Sequence, residues 1–415
     1  MAGSEHGTVA DSILARGAAR KGHTSGTHRT VPPAETLARL KPLLPRMGIT
    51  RLANVTGLDT IGIPVVMSVR PNSRSLSVSQ GKGLDLDAAK VSAAMESIEG
   101  FHAEHVSGPL RLASYDELRA GHVVADPLRL PLSDDLHFRP SLPMLWMAGH
   151  DWIRDEQVYV PFQLVHTAYT TRMRWDLIGF AASSTGLASG NHLLEAVSHA
   201  LCEVIERDAT AQFLAMSTEQ QLSRQVDTAT VDHPDCIALF ERFRESGIAA
   251  AIWDLTSRVG LPVFQCLIAE REDDPHRLLS CASGFGCHPS RHVALLRALT
   301  EAAQSRLTII AGSRDDLLRS GYSTWRDVTN VRVWREQAVR PGTASFAASP
   351  SFELETFEED VSLELDAVAR VGCGQVVVID LTRPEFAIPV VRVVVPGLHD
   401  QAARHGARRA PEAER

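Results

Sequence analysis

A chain of 415 residues with 44% hydrophobic and 22% charged content has the make-up of a globular protein that buries a large core, as one big domain or a few smaller ones. Its formal net charge of −8 excludes nonspecific nucleic-acid binding as the main activity. No apolar run approaches the ~18 residues of a membrane span and the start lacks a signal-peptide core, so no membrane association is expected and the expected setting is cytoplasmic.

Residues 1–26 are small, polar and charged and read as a flexible segment that settles at THRT, residues 27–30. ETLARLKPLLPRMG reads as a short helix interrupted by proline, and ITRLANVTGL and GIPVVMSVRP as strands, the latter rich in β-branched residues. SRSLSVSQGKG reads as a loop before the helix LDAAKVSAAMESIEGFHAEHV. Next come the extended pieces LPMLWMAGHDWI and QVYVPFQLV, whose Trp146, Trp152, Tyr159 and Phe162 suit core, a dimer surface or a peptide groove. SSTGLASG, read as a loop of small residues, precedes the helix NHLLEAVSHALCEVIERD. HPDCIALFERFRESG is a helix, IAAAIWDLT and LPVFQCLIAE are strands, and ASGFGCHPS reads as a glycine-bearing loop before the helix RHVALLRALTEAAQSRLTIIAG. SRDDLLRSGYSTWRDV is polar and placed to cover a site. After a loop and helix over 341–368, QVVVIDLT and PVVRVVVPG are strands, and 399–415 reads as a disordered tail. Long helices mixed with strands give an α/β (α+β) class. The six cysteines form no CxxC pair, which suits a reduced interior.

Three helices share one construction. Polar groups recur at i, i+4 and i+7 as Ser92, Glu96 and Glu99; as His199, Glu203 and Glu206, preceded by Asn191 and Glu195; and as Arg297, Glu301 and Gln304. At ~100° per residue, each triplet spans only about 60° of its helix. Converged, these faces would present carboxylates to divalent ions, Lys82, Arg207 and Arg297 to phosphate charge, and N–H groups of the glycine-bearing loops to phosphate oxygens. That inventory suits a nucleotide–magnesium site; a metal-dependent hydrolase and plain surface ion pairs are the competing readings. GKG at 81–83 lacks the spacing of a phosphate loop, and HExxH and GxSxG are absent.

SAAMESIE, NHLLEAVSHALCEVIERDA and RALTEAAQSR resemble the signature elements of the YcaO family of ATP-dependent enzymes that activate peptide backbone amides. The resemblance runs from about Thr27 to Gly397. It implies a YcaO-type catalytic domain over 27–398, with a 70–398 core and 27–69 as its extension, and ATP and Mg2+ as cofactors. Lys82, Ser92, Glu96, Asn191, Glu195, Arg207, Arg297, Glu301 and Gln304 would bind nucleotide. Glu96, Glu99, Glu195, Glu203 and Glu206 would hold metal, and Glu96, Glu203, Arg297 and Glu301 would act in catalysis, with Arg392 nearby.

In that family a nucleophile adds to the amide carbonyl and the resulting oxyanion takes the γ-phosphoryl group, so that oxygen departs as phosphate. A proline-rich tail, common in azoline-forming members, is missing here. The segment from Gly26 to Gly83 and AGSRDDL most resemble the branch that works beside a TfuA-like partner. The resemblance therefore implies thioamide formation in a precursor peptide or protein by a homodimer, with azoline-forming cyclodehydration or nucleotide-gated recruitment as alternatives. Cys281 and Cys287 are candidates for carrying sulfur.

Overall fold

The computed structural model describes residues 19–133, 138–169, 179–272, 281–314 and 328–398, with side chains from 331 onward in the last stretch. The expected tail and residues 315–327 of SRDDLLRSGYSTWRDV lie outside them.

Thirteen strands are named among the described residues: β1 Arg51–Asn54, β2 Val65–Val69, β3 Val78–Lys82, β4 Leu110–Ala113, β5 Met144–Asp151, β6 Glu156–Pro161, β7 Leu187–Ser189, β8 Gln225–Val226, β9 Ile248–Asp254, β10 Val263–Glu270, β11 Ala282–Cys287, β12 Val377–Asp380 and β13 Val390–Val394. The helices of eight residues or more are α1 Pro33–Leu40, α2 Leu86–Glu104, α3 Leu193–Leu214, α4 Pro234–Glu245, α5 Arg291–Ala311, α6 Val328–Val339 and α7 Phe357–Arg370. The strands make three sheets, ordered β1-β2-β3, β11-β10-β9-β8 and β4-β5-β12-β13-β7 with β6 on β5. Every ladder between named strands is antiparallel, which puts the fold on the α+β side of the expected class.

The three acidic helices each start directly after a strand, in the units β3–α2, β7–α3 and β11–α5. Each helix packs on its own strand and also touches the strand of the next unit: α2 reaches β7, α3 reaches β11 and α5 reaches β3. The units thus close a ring, and the helix faces turned to its middle share one space.

The glycine-bearing stretches before these helices, read as loops, each contain a strand: ASGFGCHPS over most of its length, SRSLSVSQGKG over Val78–Lys82 and SSTGLASG over Leu187–Ser189. Glycine is there for close approach, not for flexibility. A Cβ on Gly81 would lie 2.0 Å from the Ala93 nitrogen, one on Gly284 2.2 Å from that of Ala302, and one on Gly286 2.1 Å from the Ala294 carbonyl oxygen. Alanines at the facing helix positions are buried to match.

Trp146 and Trp152 are buried in the core, and Tyr159 and Phe162 pack against it, so this aromatic stretch is structural. The flexibility expected up to residue 26 does not hold from residue 19 onward. Ala19 is buried among α7 and its neighbours, Arg20 bridges Thr356, and the Lys21 ammonium is paired with Asp360. Its polar composition misled because these groups are matched one by one by partners more than 330 residues away.

Candidate active site

The ring encloses a cavity of about 1160 Å³, lined by Lys82, Ser92, Glu96, Glu99, Asn191, Glu195, Glu203, Glu206, Arg207, Arg297, Glu301 and Gln304. All of the nucleotide- and metal-site residues expected from spacing and resemblance reach this one space. Arg392 does not line it; it sits on β13, donates to the Ser183 carbonyl at 2.7 Å and acts on Glu203 through its charge.

Backbone N–H groups of two strands and of the turn before β7 fix three carboxylates. Glu99 accepts from the Ser189 N–H at 2.9 Å and its hydroxyl at 2.7 Å. Glu203 accepts from the Gly186 N–H at 3.0 Å and Glu301 from that of Phe285 at 3.2 Å. These backbone donors, expected to await phosphate, instead hold glutamates in position: Glu99 of the neighbouring unit, and Glu203 and Glu301 on the helices of their own units.

Lys82, at the end of β3, ion-pairs with Glu301 across the ring. Arg207 lies 3.7 Å from Glu203 on its own helix. Gln304 donates to the Gln80 carbonyl at 3.3 Å. Burial drives the His199 imidazole well below its usual range, helped by the charges of Arg297, Arg29 and Lys82. The neutral ring accepts from Arg297 at 3.1 Å.

Charge is crowded on the acidic side. Burial pushes Glu99 up to about 8 and Glu206 up to about 7, the latter reinforced by the negative charge of Glu301. Burial likewise raises Glu203 and pushes Glu96 up to about 7. The Glu96 side chain is exposed to the cavity it lines, and the charges of Lys82 and Arg314 oppose its rise. Glu301 differs: burial opposes its ionisation most strongly, but the charge and hydrogen bond of Lys82, the charge of Arg207 and the Phe285 N–H together hold the carboxyl below the usual range. Carboxylates that cannot all ionise together are a donor set short of positive charge, and hard oxygen donors of this kind fit Mg2+.

Two expected ligands are already engaged. Glu195 accepts from the Thr30 N–H and hydroxyl at 2.9 Å each and lies 3.5 Å from Arg29. Asn191 accepts from Arg39 at 2.7 Å and from Thr36 at 3.0 Å. Sequence reasoning missed Arg29 as a cavity residue. The only signal was THRT, which marked where the chain settles but carries no helical spacing to show where it points. The Cys281 thiol lines the cavity but burial pushes it up to about 12, and Cys287 is fully buried. The Cys281 thiol is therefore not an activated thiolate.

A sequence profile described as YcaO cyclodehydratase, ATP- and Mg2+-binding, matches residues 80–399. A Rhizobium leguminosarum bv. trifolii protein from the tfuA 3′ region is 36% identical over 378 residues, 89% of this chain and 88% of that one. A Mycobacterium tuberculosis protein is 36% identical over 381 residues, 91% of this chain and 83% of its own. Among solved structures, YcaO from Methanopyrus kandleri bound with AMPPCP and Mg2+ superposes with a TM-score of 0.73 at 23% identity, covering 94% of this chain and 97% of that one. A heterocyclase in complex with substrate and cofactor gives 0.76 at 21% identity; the match covers 92% of this chain and 54% of the heterocyclase. At these identities the structures speak for the fold alone.

Proposed function

The chain belongs to the YcaO family of ATP- and Mg2+-binding enzymes, and from that premise we propose that it activates a peptide backbone amide for thioamide formation, working beside a TfuA-like partner. The observation that carries the thioamide branch is the 36% identity, over nearly the whole of both chains, to the protein from the tfuA 3′ region. A precursor peptide or protein is the substrate, and a homodimer is the working form in this reading.

Bound nucleotide and Mg2+ supply the phosphoryl group that turns the amide oxygen, otherwise a very poor leaving group, into a good one. The chain's residues do the rest. Glu96, Glu99, Glu203 and Glu206 hold the cation, whose charge offsets their mutual repulsion. Glu195, fixed from the N-terminal side, and Asn191 bound that end of the cavity. Arg297, Lys82 and Arg29 place positive charge along the cavity wall, where phosphate oxygens are favoured. His199, neutral and bonded to Arg297, orients that guanidinium. Ser92, Arg207 and Gln304 complete the lining. The sulfur arrives from outside, consistent with the suppressed Cys281 thiol.

The test combines the purified chain, a TfuA-like protein, ATP, Mg2+, sulfide and a candidate peptide, and reads intact peptide mass together with phosphate release. A mass gain equal to exchange of one oxygen for sulfur is expected. Loss of one water would place the enzyme with azoline formation instead. Nucleotide binding with no phosphate release would leave a recruitment module.

A further inference from the structure

Residues 19–30 form a hairpin strap that ties the start of α7 to the start of α3. Its first limb lies along the residues preceding α7. The Ala19 N–H donates to Glu358 at 2.7 Å, the Phe357 N–H to the Ala19 carbonyl at 2.9 Å, and the Lys21 N–H to the Glu355 carbonyl at 3.1 Å. The Lys21 ammonium, 2% exposed, is clamped by the Leu354 carbonyl at 2.9 Å and both Asp360 oxygens at 2.8 and 2.9 Å. The two limbs are then joined across the hairpin, His23 N–H to the Arg29 carbonyl at 2.9 Å and the reverse at 2.8 Å. Gly22 makes the approach feasible, since a Cβ there would stand 2.2 Å from the Thr30 carbonyl oxygen. Mid-strap, His28 stacks edge-on against His288 at 4.6 Å. The second limb ends in the cavity, with Thr30 and Arg29 on Glu195.

The geometry points to Lys21 and Asp360 as positioning residues for the active site: their buried ion pair, outside the cavity, anchors the strap that sets Arg29 and Thr30 against Glu195. This rests on the nucleotide-binding reading of the cavity. Removing Asp360's charge leaves a buried ammonium unpaired at the anchor; the strap then detaches from α7, and because its limbs are hydrogen-bonded to each other, Arg29 moves with it.

The experiment is a double-mutant cycle on the full-length chain, using Asp360→Asn and Arg29→Ala. Calorimetry reads affinity for a non-hydrolysable ATP analogue with Mg2+, and amide hydrogen exchange reads the strap. Asp360→Asn is expected to weaken binding by roughly ten- to a hundredfold, the worth of a charge-assisted hydrogen bond. The double variant is expected to bind no worse than Arg29→Ala alone, with faster exchange confined to residues 19–30 and the region around Glu195. Additive losses, unchanged affinity in Asp360→Asn, or faster exchange spread evenly over α5 would each overturn the inference. Lys21→Gln, which leaves a neutralisable Asp360 rather than an orphaned ammonium, must reproduce the loss if Asp360→Asn fails to fold; normal affinity in Lys21→Gln overturns it. If the unaltered chain binds no nucleotide, the underlying reading fails and the inference with it. If it binds and Arg29→Ala changes nothing, the inference fails alone.

Discussion

Glu99 shows how a single side chain serves both fold and chemistry. One of its oxygens takes two hydrogen bonds from Ser189, while burial holds its carboxyl at about 8. Without metal the group is therefore largely neutral at physiological pH, and a neutral amide of the same shape can accept the same two bonds. Glu99→Gln is accordingly expected to shift unfolding free energy by less than about 1 kcal/mol, the range of changes that remove no packing or buried hydrogen bond. It removes a charged metal donor, so turnover should fall by at least about 100-fold. Denaturant unfolding and phosphate release measured side by side check both halves; equal losses in the two would assign Glu99 to the fold alone. Residue identity at this scale was legible in the sequence because helical spacing groups the glutamates. What spacing cannot say is which are already spoken for, as Glu195 and Asn191 are by the N-terminal segment.

At the scale of elements, the repeated unit is a strand with glycines followed by a helix with alanines on the facing side. The sequence showed the glycines and the helices but not the pairing between them: Val78–Lys82 and Ala282–Cys287 lack the unbroken β-branched pattern by which strands are recognised. Their strand character comes from ladders to β2 and β10, tertiary context that outweighs local propensity. Gly284→Ala tests the reading. Its methyl would meet backbone atoms of Ala302 and Ala298 at 2.2 and 2.3 Å, and main chain cannot swing aside as a long side chain does. A loss of about 3 kcal/mol or more is expected, accompanied by weaker nucleotide binding because α5 carries Arg297 and Glu301. Gly57, with nothing near its Cβ position and no positive φ, serves as the control: Gly57→Ala should leave both thermal midpoint and affinity nearly unchanged. α7 adds a further element-level link to the site, holding α3 through Glu364, which accepts from Ser198 at 2.7 Å.

For the whole molecule, the ring concentrates carboxyls whose folded pKa values, about 8 for Glu99 and about 7 for Glu206, lie above the ordinary 4.5. Between about 4.5 and 8 these carboxyls hold more protons in the folded chain than in the unfolded one, so their contribution to stability falls as pH rises through that window. Below about 6.5 it is opposed by His28, His199 and His288, which burial holds below the usual range. Binding of Mg2+ with nucleotide should displace those protons and flatten the decline. Thermal midpoints at pH 7 and 8.5, above the range where histidines of the unfolded chain take up protons, with and without Mg2+ and a nucleotide analogue, check the slope, and calorimetry in two buffers of different ionisation enthalpy checks the proton release. Stability that rises with pH in the metal-free chain would contradict it. No helix among the described residues is long and apolar enough to cross a membrane. That the three helices converge could be argued from their common spacing, whereas the order in which each helix touches the next unit's strand could not, since contacts over such separations leave no local pattern.

A calorimetric titration of the full-length chain with a non-hydrolysable ATP analogue, with and without Mg2+ and repeated on Glu206→Gln, reads the shared nucleotide–metal site itself. One tight, Mg2+-dependent site per chain is expected, weakening at least tenfold when Glu206 loses its charge, since a divalent ion shared by few carboxylates depends on each. Binding that is indifferent both to Mg2+ and to Glu206 would contradict it.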